Sequence, residues 1–214
     1  MNKGKEYYQA IINKEAEILQ DLSLTLDWNI MDHISDMLCN VKEEKNRVIT
    51  AGCGTSGIVA EKISHMLNVI EVSSFFLAPG NSVHGGLGAI QKGDIVVLVT
   101  KGGNTQEIIN YIPMCKSKGA TIIGVTEAED SILGISSDIL FIIKVKSEPC
   151  PWNLIASGSI LACIAAWDAI IFSVMQRTNF TKEQFGLTHP GGLVGDKLRL
   201  EREIYNLKKE GENK

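Results

Sequence analysis

The chain has 214 residues, 44% of them hydrophobic and 21% charged, with a formal net charge of −4. That balance describes a globular chain with a core of its own, and it excludes disorder and a stapled miniprotein. The slight acidity gives no electrostatic footing for nucleic acid or an anionic membrane, so neither is expected as a partner.

The N-terminal stretch "MNKGKEYYQAIINKEAEIL" lacks the apolar core of a secretory signal. Tyr8, Ile11, Ile12, Ala16, Ile18 and Leu19 recur near a 3.6-residue period, and Ile30, Met31, Ile34, Met37 and Leu38 repeat it, which predicts helices over residues 5–45. From residue 47 the pattern changes. "RVITAG" reads as a short strand ending in glycine, followed by the amphipathic "IVAEKISHML". "IEVSSFFLA", "DIVVLVT", the helix-like "TQEIINYIPMCKSKG", "TIIGVT", the short "SILGISSD" and "ILFIIKVK" come next. Runs such as "IVVLV" are continuous rather than alternating, as in strands covered on both faces of a parallel sheet. Strands alternating with helices predict a three-layer α/β sandwich, doubly wound.

A long helix is predicted over about 152–176, with Pro151 in its first turn. Its apolar part, "ILACIAAWDAIIFSVM" (160–175), is shorter than the roughly 20 residues a bilayer requires and carries Asp168, so it reads as a buried helix. "TKEQ" at Thr181 fits a capping box opening another helix, and the tail "NLKKEGENK" reads as a solvated end. No linker interrupts the pattern; one domain is expected over 1–214, with the helical segment 1–45 packed on it. The five cysteines (Cys39, Cys53, Cys115, Cys150, Cys163) are odd in number, scattered and without C-x-x-C. Neither a disulfide framework nor a metal site is expected, and a soluble protein of a reducing cytoplasm is.

Gly52, Gly54 and Gly57 in "AGCGTSGI" form a G-x-G-x-x-G between a strand and a helix, the context of a phosphate-binding turn. A dinucleotide reading requires an acid at the end of the second strand. The acid present, Glu71, opens that strand instead, and its end, "FFLAPG", is uncharged. A second small-residue loop, "TKGGNTQE" (100–107), also sits between strand and helix. Two such loops on neighbouring strands converge on one phosphomonoester, with the hydroxyls of Ser56, Thr100 and Thr105 as donors beside backbone amides.

"GCGTSG", "PGNSVHGGLG", "TKGGNTQE", "SEPCPWNLIASGS" and "FGLTHPGG" occur in the order and spacing of the sugar isomerase (SIS) domain, and over residues 10–198 the chain most resembles the D-arabinose 5-phosphate isomerases. The resemblance implies a five-stranded parallel α/β sandwich and a phosphorylated sugar as ligand, with no cofactor. It also implies a homodimer or homotetramer with sites near subunit boundaries, and the isomerases' SIS part without their CBS pair. By motif position it implies functional roles for His84, Glu107, Glu148 and His189, and a phosphate contact for Ser56. The wider phosphosugar site is expected to draw on Gly54, Thr55, Ser56, Thr100, Lys101, Gly102, Gly103, Asn104, Thr105, Ser157 and Ser159.

An aldose–ketose interconversion passes through a cis-enediol and requires a base, a partner moving protons between two oxygens, and help in opening the ring. Chemistry assigns proton abstraction to Glu148, hydroxyl support to Glu107, and ring opening or shuttling to His84 or His189. Structural roles compete. Glu107 would complete a capping box with Asn104, and Glu148 would stabilise the N-terminus of the helix opened by Pro151. Asp168 reads as a hydrogen-bonded core carboxylate or a subunit contact, Trp152 and Trp167 as packing, and His33 and His65 as structural or surface residues on helices.

Several positions depart from the isomerases. Thr55 stands where they carry lysine and Gly86 where they carry aspartate. Thr100-Lys101-Gly102-Gly103-Asn104 replaces Ser-x-Ser-Gly-Glu, and Ser157-Gly158-Ser159 replaces Thr-Ser-Ser. The expected function is therefore a phosphosugar aldose–ketose isomerase. The alternative is a non-catalytic phosphosugar sensor, and a dinucleotide oxidoreductase is disfavoured.

Overall fold

The computed structural model describes residues 4–212, with side chains through residue 204. The polar tail at 206–214 lies outside those side chains. The chain divides into two compact units, residues 1–174 and 175–214.

The first unit opens with helices α1 (Lys5–Thr25) and α2 (Trp28–Glu44). Asp27 starts α2: its carboxylate accepts from the amides of Asn29 and Ile30, and Lys45, left-handed at φ 59°, ends it. Met31, Ile34, Leu38 and Val41 put one face of α2 in the core. By contrast Tyr8 and Ile12 on α1 remain exposed, despite their helical spacing.

Five strands follow, joined by helices: β1 (Val48–Gly52), α3 (Gly54–Val69), β2 (Ser74–Phe76), α4 (Pro79–Ser82), a 3-10 turn (Gly86–Ala89), β3 (Ile95–Val99), α5 (Gln106–Ile109), α6 (Tyr111–Lys118), β4 (Thr121–Thr126), α7 (Ile132–Ser136) and β5 (Ile139–Ile142). All pairings are parallel, in the order β2-β1-β3-β4-β5. Every residue of β1 and β3 is buried, which is what their unbroken apolar runs require. Ile49, Val96, Leu98 and Ile122 share a core cluster with Ile108, Tyr111, Ile112 and Cys115. This is the three-layer α/β sandwich that the alternating pattern predicts.

The winding reverses between β1 and β3. The chain leaves β1 for β2 on one side and continues from β3 to β4 and β5 on the other, so the crevice of an open sheet lies at the carboxyl ends of this pair. Gly52 pairs with Val99 there, which places the loops at 52–57 and 100–105 side by side.

Helix α8 (Gly158–Arg177) begins six residues later than the sequence pattern suggests. Pro151 sits in an irregular turn before it, not in its first turn. Ala162, Ala166, Trp167, Ile170, Ile171 and Val174 are buried, and Trp167 meets Phe141 edge to face at 6.4 Å. By length and composition α8 is apolar enough to cross a membrane. In this fold 44% of that apolar stretch is buried, and its Asp168 pairs with Lys62 of α3.

The second unit carries α9 (Lys182–Thr188) and α10 (Gly192–Glu212). Thr181 makes the expected capping box: its hydroxyl accepts from the Gln184 amide, and the Gln184 side chain returns to the Thr181 amide.

Candidate functional site

The first loop owes its shape to close packing. A Cβ on Gly52 would lie 2.5 Å from the carbonyl oxygen of Ser56, so only glycine lets α3 start this near the strand tip. Helix α3 then presents its first-turn amides, those of Gly54, Thr55 and Ser56, at the switch point, where helix geometry leaves them without intrahelical partners.

The second loop is held from behind. Thr100 is buried, and its hydroxyl lies 2.7 Å from that of Thr105. Gly103 has φ 68°, and a Cβ there would collide with the Ser131 side chain. Asn104 does not cap α5. Its Oδ1 accepts from the Ile132 amide and so ties the loop to α7 at 2.9 Å. The N-cap of α5 is Thr105, without a side-chain cap bond, so the expected capping box between Asn104 and Glu107 is absent. That leaves Glu107 exposed in the first turn of α5. Its carboxylate is close enough to Cys53 that, after burial, it is the next cause raising that thiol's pKa.

The third segment, 147–159, supplies the most heavily bonded group. Glu148 is buried, and one carboxylate oxygen accepts from the amides of Ser157 (3.0 Å) and Ser159 (3.3 Å). The other accepts from Lys101 Nζ at 2.6 Å and from the Ser159 hydroxyl. Burial alone would raise its pKa. The bonds from Lys101, Ser159 and the two amides outweigh it and hold the carboxyl down at about 2. Glu148 therefore does the work expected of a helix cap, reaching α8 across the 149–157 turn, and it anchors Lys101 as well. A carboxylate with its lone pairs taken and a pKa of about 2 is a weak base for as long as these bonds hold.

Trp152, expected to be packing, is 71% exposed beside exposed Leu154 and Ile155, whereas Trp167 is fully buried. His33 and His65 are exposed on α2 and α3. His84 is exposed in the turn after α4, on the β2–β3 connection, where its amide donates to the Asn81 carbonyl. His189 belongs to the second unit, where its ring stacks on Phe185 at 4.1 Å and its Nδ1 lies 3.1 Å from the Thr188 hydroxyl.

One residue of the site is not singled out by the sequence. Glu127 follows β4, and its carboxylate Oε1 is 3.7 Å from Lys101 Nζ. That oxygen is buried without a hydrogen-bond partner among the described residues. Burial pushes the Glu127 pKa up, the Lys101 ammonium and a backbone bond from Val145 oppose the rise, and Glu148 adds to it. Ser56, Lys101, Thr126, Glu127, Ser159 and Cys163 line a small pocket here, of about 20 Å³. That is room for a single oxygen-bearing group, so a sugar phosphate would lie across its mouth. The available clue was positional: Glu127 sits at a strand's carboxyl end, as the two loops do.

A family model described as the SIS domain matches residues 42–173. The chain belongs to the SIS domain family. Among curated relatives, the arabinose 5-phosphate isomerase KdsD of Francisella tularensis is 31% identical over 92% of this chain and 59% of its own length. KdsD of Pseudomonas aeruginosa is 35% identical over 74% of this chain and 49% of its own. This SIS chain thus spans about half to three-fifths of the length of those relatives. A Listeria monocytogenes structure provisionally named a sugar-phosphate isomerase is 41% identical, with a TM-score of 0.82, over 88% of this chain and 99% of that one. An Escherichia coli CFT073 protein in complex with arabinose 5-phosphate is 28% identical, with a TM-score of 0.78, over 86% and 96%.

Proposed function

We propose that this SIS chain binds a phosphorylated sugar and interconverts its aldose and ketose forms through a cis-enediol, in the manner of the arabinose 5-phosphate isomerases. The observation that carries the reading is convergence at the switch point: Ser56 from the first loop, Lys101 from the second and Ser159 from α8 line one pocket beside two carboxylates. The names of the relatives support a sugar phosphate as substrate. The E. coli neighbour, solved with its sugar phosphate bound, supports arabinose 5-phosphate in particular.

In this reading the phosphoryl group rests on the α3 N-terminus and the hydroxyls of Ser56, Thr100 and Thr105, with the amides of Lys101, Gly102 and Asn104 around it and that of Gly103 closing the loop onto the Thr100 carbonyl. Thr55 stands in place of a lysine, and the ammonium in the pocket wall, that of Lys101, is held by Glu148. Backbone dipoles therefore carry most of the phosphate recognition. Glu148 keeps Lys101 and the start of α8 in place, with Ser157 and Ser159 as its donors. Glu107 and His84, on flanking loops, are the groups left for the sugar's hydroxyls and carbon-bound proton. The reading includes a soluble cytoplasmic homodimer or homotetramer that needs no cofactor.

The saturated state of Glu148 also suits a second reading, a sensor that binds the sugar without turnover. A panel of pentose and hexose phosphates in D2O, followed by NMR, separates the two. Deuterium entering C1 or C2 of one member is the expected result. Binding with no exchange in any member would establish the sensor.

A further inference from the structure

Two carboxylates flank one ammonium in this site, and their surroundings drive them apart. Glu148 has four donors across its two oxygens, one of them Lys101 at 2.6 Å. Glu127 faces the same ammonium more loosely, at 3.7 Å, and although the Val145 backbone bonds its carboxyl, the buried Oε1 has no donor among the described residues. An ionised oxygen left that way costs free energy that a proton would recover.

We infer that Glu127 is the proton-carrying acid of this site, a further catalytic residue that meets the carbonyl end of the bound sugar. The inference rests on the isomerase reading above. The pocket favours a neutral oxygen over a phosphoryl group, because two carboxylates there face the single ammonium of Lys101. Lys101 after β3, Glu148 before α8 and Cys163 on α8 are the charged and titratable groups facing Glu127. The Cys163 thiol is pushed up to about 12, chiefly by burial and then by Glu127, so it stays neutral and leaves the exchange to the carboxyl.

The protons balance. As the base removes the carbon-bound proton, the Glu127 carboxyl gives its own to the sugar's carbonyl oxygen, and a neutral enediol forms. When the base returns its proton to the adjacent carbon, Glu127 takes one from the neighbouring hydroxyl and the opposite carbonyl forms. Nothing is consumed. Two carboxyls with divergent proton affinities divide the labour: the one that stays ionised organises the site, and the other exchanges.

The test is Glu127→Gln in the full chain. It reads turnover and affinity for the sugar found by the exchange panel, and the pH–rate profile. A 13C titration of the Glu127 carboxyl, with and without that sugar phosphate, accompanies it. The expected result is a fall in turnover of about 100-fold or more with Kd within about threefold of normal, and loss of one limb of the profile. In the unmodified protein the Glu127 carboxyl titrates above the usual glutamate range, and Lys101→Met raises it further. Turnover of Glu127→Gln within about threefold of normal overturns the inference. So does a Glu127 carboxyl that titrates in the ordinary range. If the unmodified protein isomerises nothing, the isomerase reading fails and the titration still judges Glu127. A raised midpoint that moves when a phosphosugar binds supports the contact, and one that does not move refutes it.

Discussion

The two ends of the sheet treat their buried carboxylates in opposite ways. At the amino ends of β1 and β3, Asp94 is nearly inaccessible and fully engaged: it accepts from the Arg47 amide (3.0 Å), the Arg47 guanidinium (3.1 Å) and the Gln91 amide (2.9 Å). At the carboxyl ends, Glu148 and Glu127 share one ammonium, and an oxygen of Glu127 is left over. A closed polar cluster locks strands in register. An open one, with more carboxylate than cation, suits a place where another molecule brings hydroxyls.

The contrast is broken most severely at its closed end. Asp94→Ala leaves the Arg47 and Gln91 amides without their acceptor, while the guanidinium keeps the Ala89 carbonyl, and is expected to cost about 3 kcal/mol in urea denaturation while phosphosugar affinity holds. A stability loss below about 1 kcal/mol would show that the lock is not one. At the open end the effect is a pH dependence. Glu148 titrates at about 2 in the fold against an ordinary 4.5, so its stabilisation is full above the unfolded value and is lost as pH falls from about 4.5 to about 2. The loss amounts to as much as about 3 kcal/mol, and Glu148→Gln should flatten that limb. Glu127 has the reverse sign. Its raised pKa means stability is lost as pH rises through the unfolded value toward the folded one, so Glu127→Gln should raise the midpoint temperature slightly near neutrality.

Gly52→Ala forces the new Cβ against the Ser56 carbonyl, and about 2 kcal/mol of destabilisation with weaker phosphosugar binding is expected from the shifted loop. The smallest effect belongs to Trp152→Ala, which removes a ring that is 71% exposed and should change stability by less than about 0.5 kcal/mol.

The strands were plain in the sequence because "VITAG" and "IVVLV" are buried on both faces and leave no room for polar alternation. The Thr181 cap was plain because both of its bonds are local. Non-local partners were hidden. Asn104 looks like a cap for its own helix until its side chain is found on the Ile132 amide, 28 residues away. Pro151 looks like a helix start, but Glu148 caps the amides of Ser157 and Ser159 from beyond the turn, and the helix waits for Gly158. Lys101 and Glu148 are 47 residues apart, and no spacing rule joins them. Glu127 in "TEAED" reads as one solvated acid among several until the sheet order sets it beside Lys101.

Phosphosugar recognition rests most on the loops at 52–57 and 100–105 gripping one phosphoryl group together. Amide NMR on titration with arabinose 5-phosphate, set against unphosphorylated arabinose, reads that shared grip residue by residue. Large, saturable shifts of the Gly54, Thr55, Ser56, Gly102, Gly103 and Asn104 amides are expected with the phosphate ester alone. Shifts confined to one loop, or equal shifts with the unphosphorylated sugar, would rule the shared grip out.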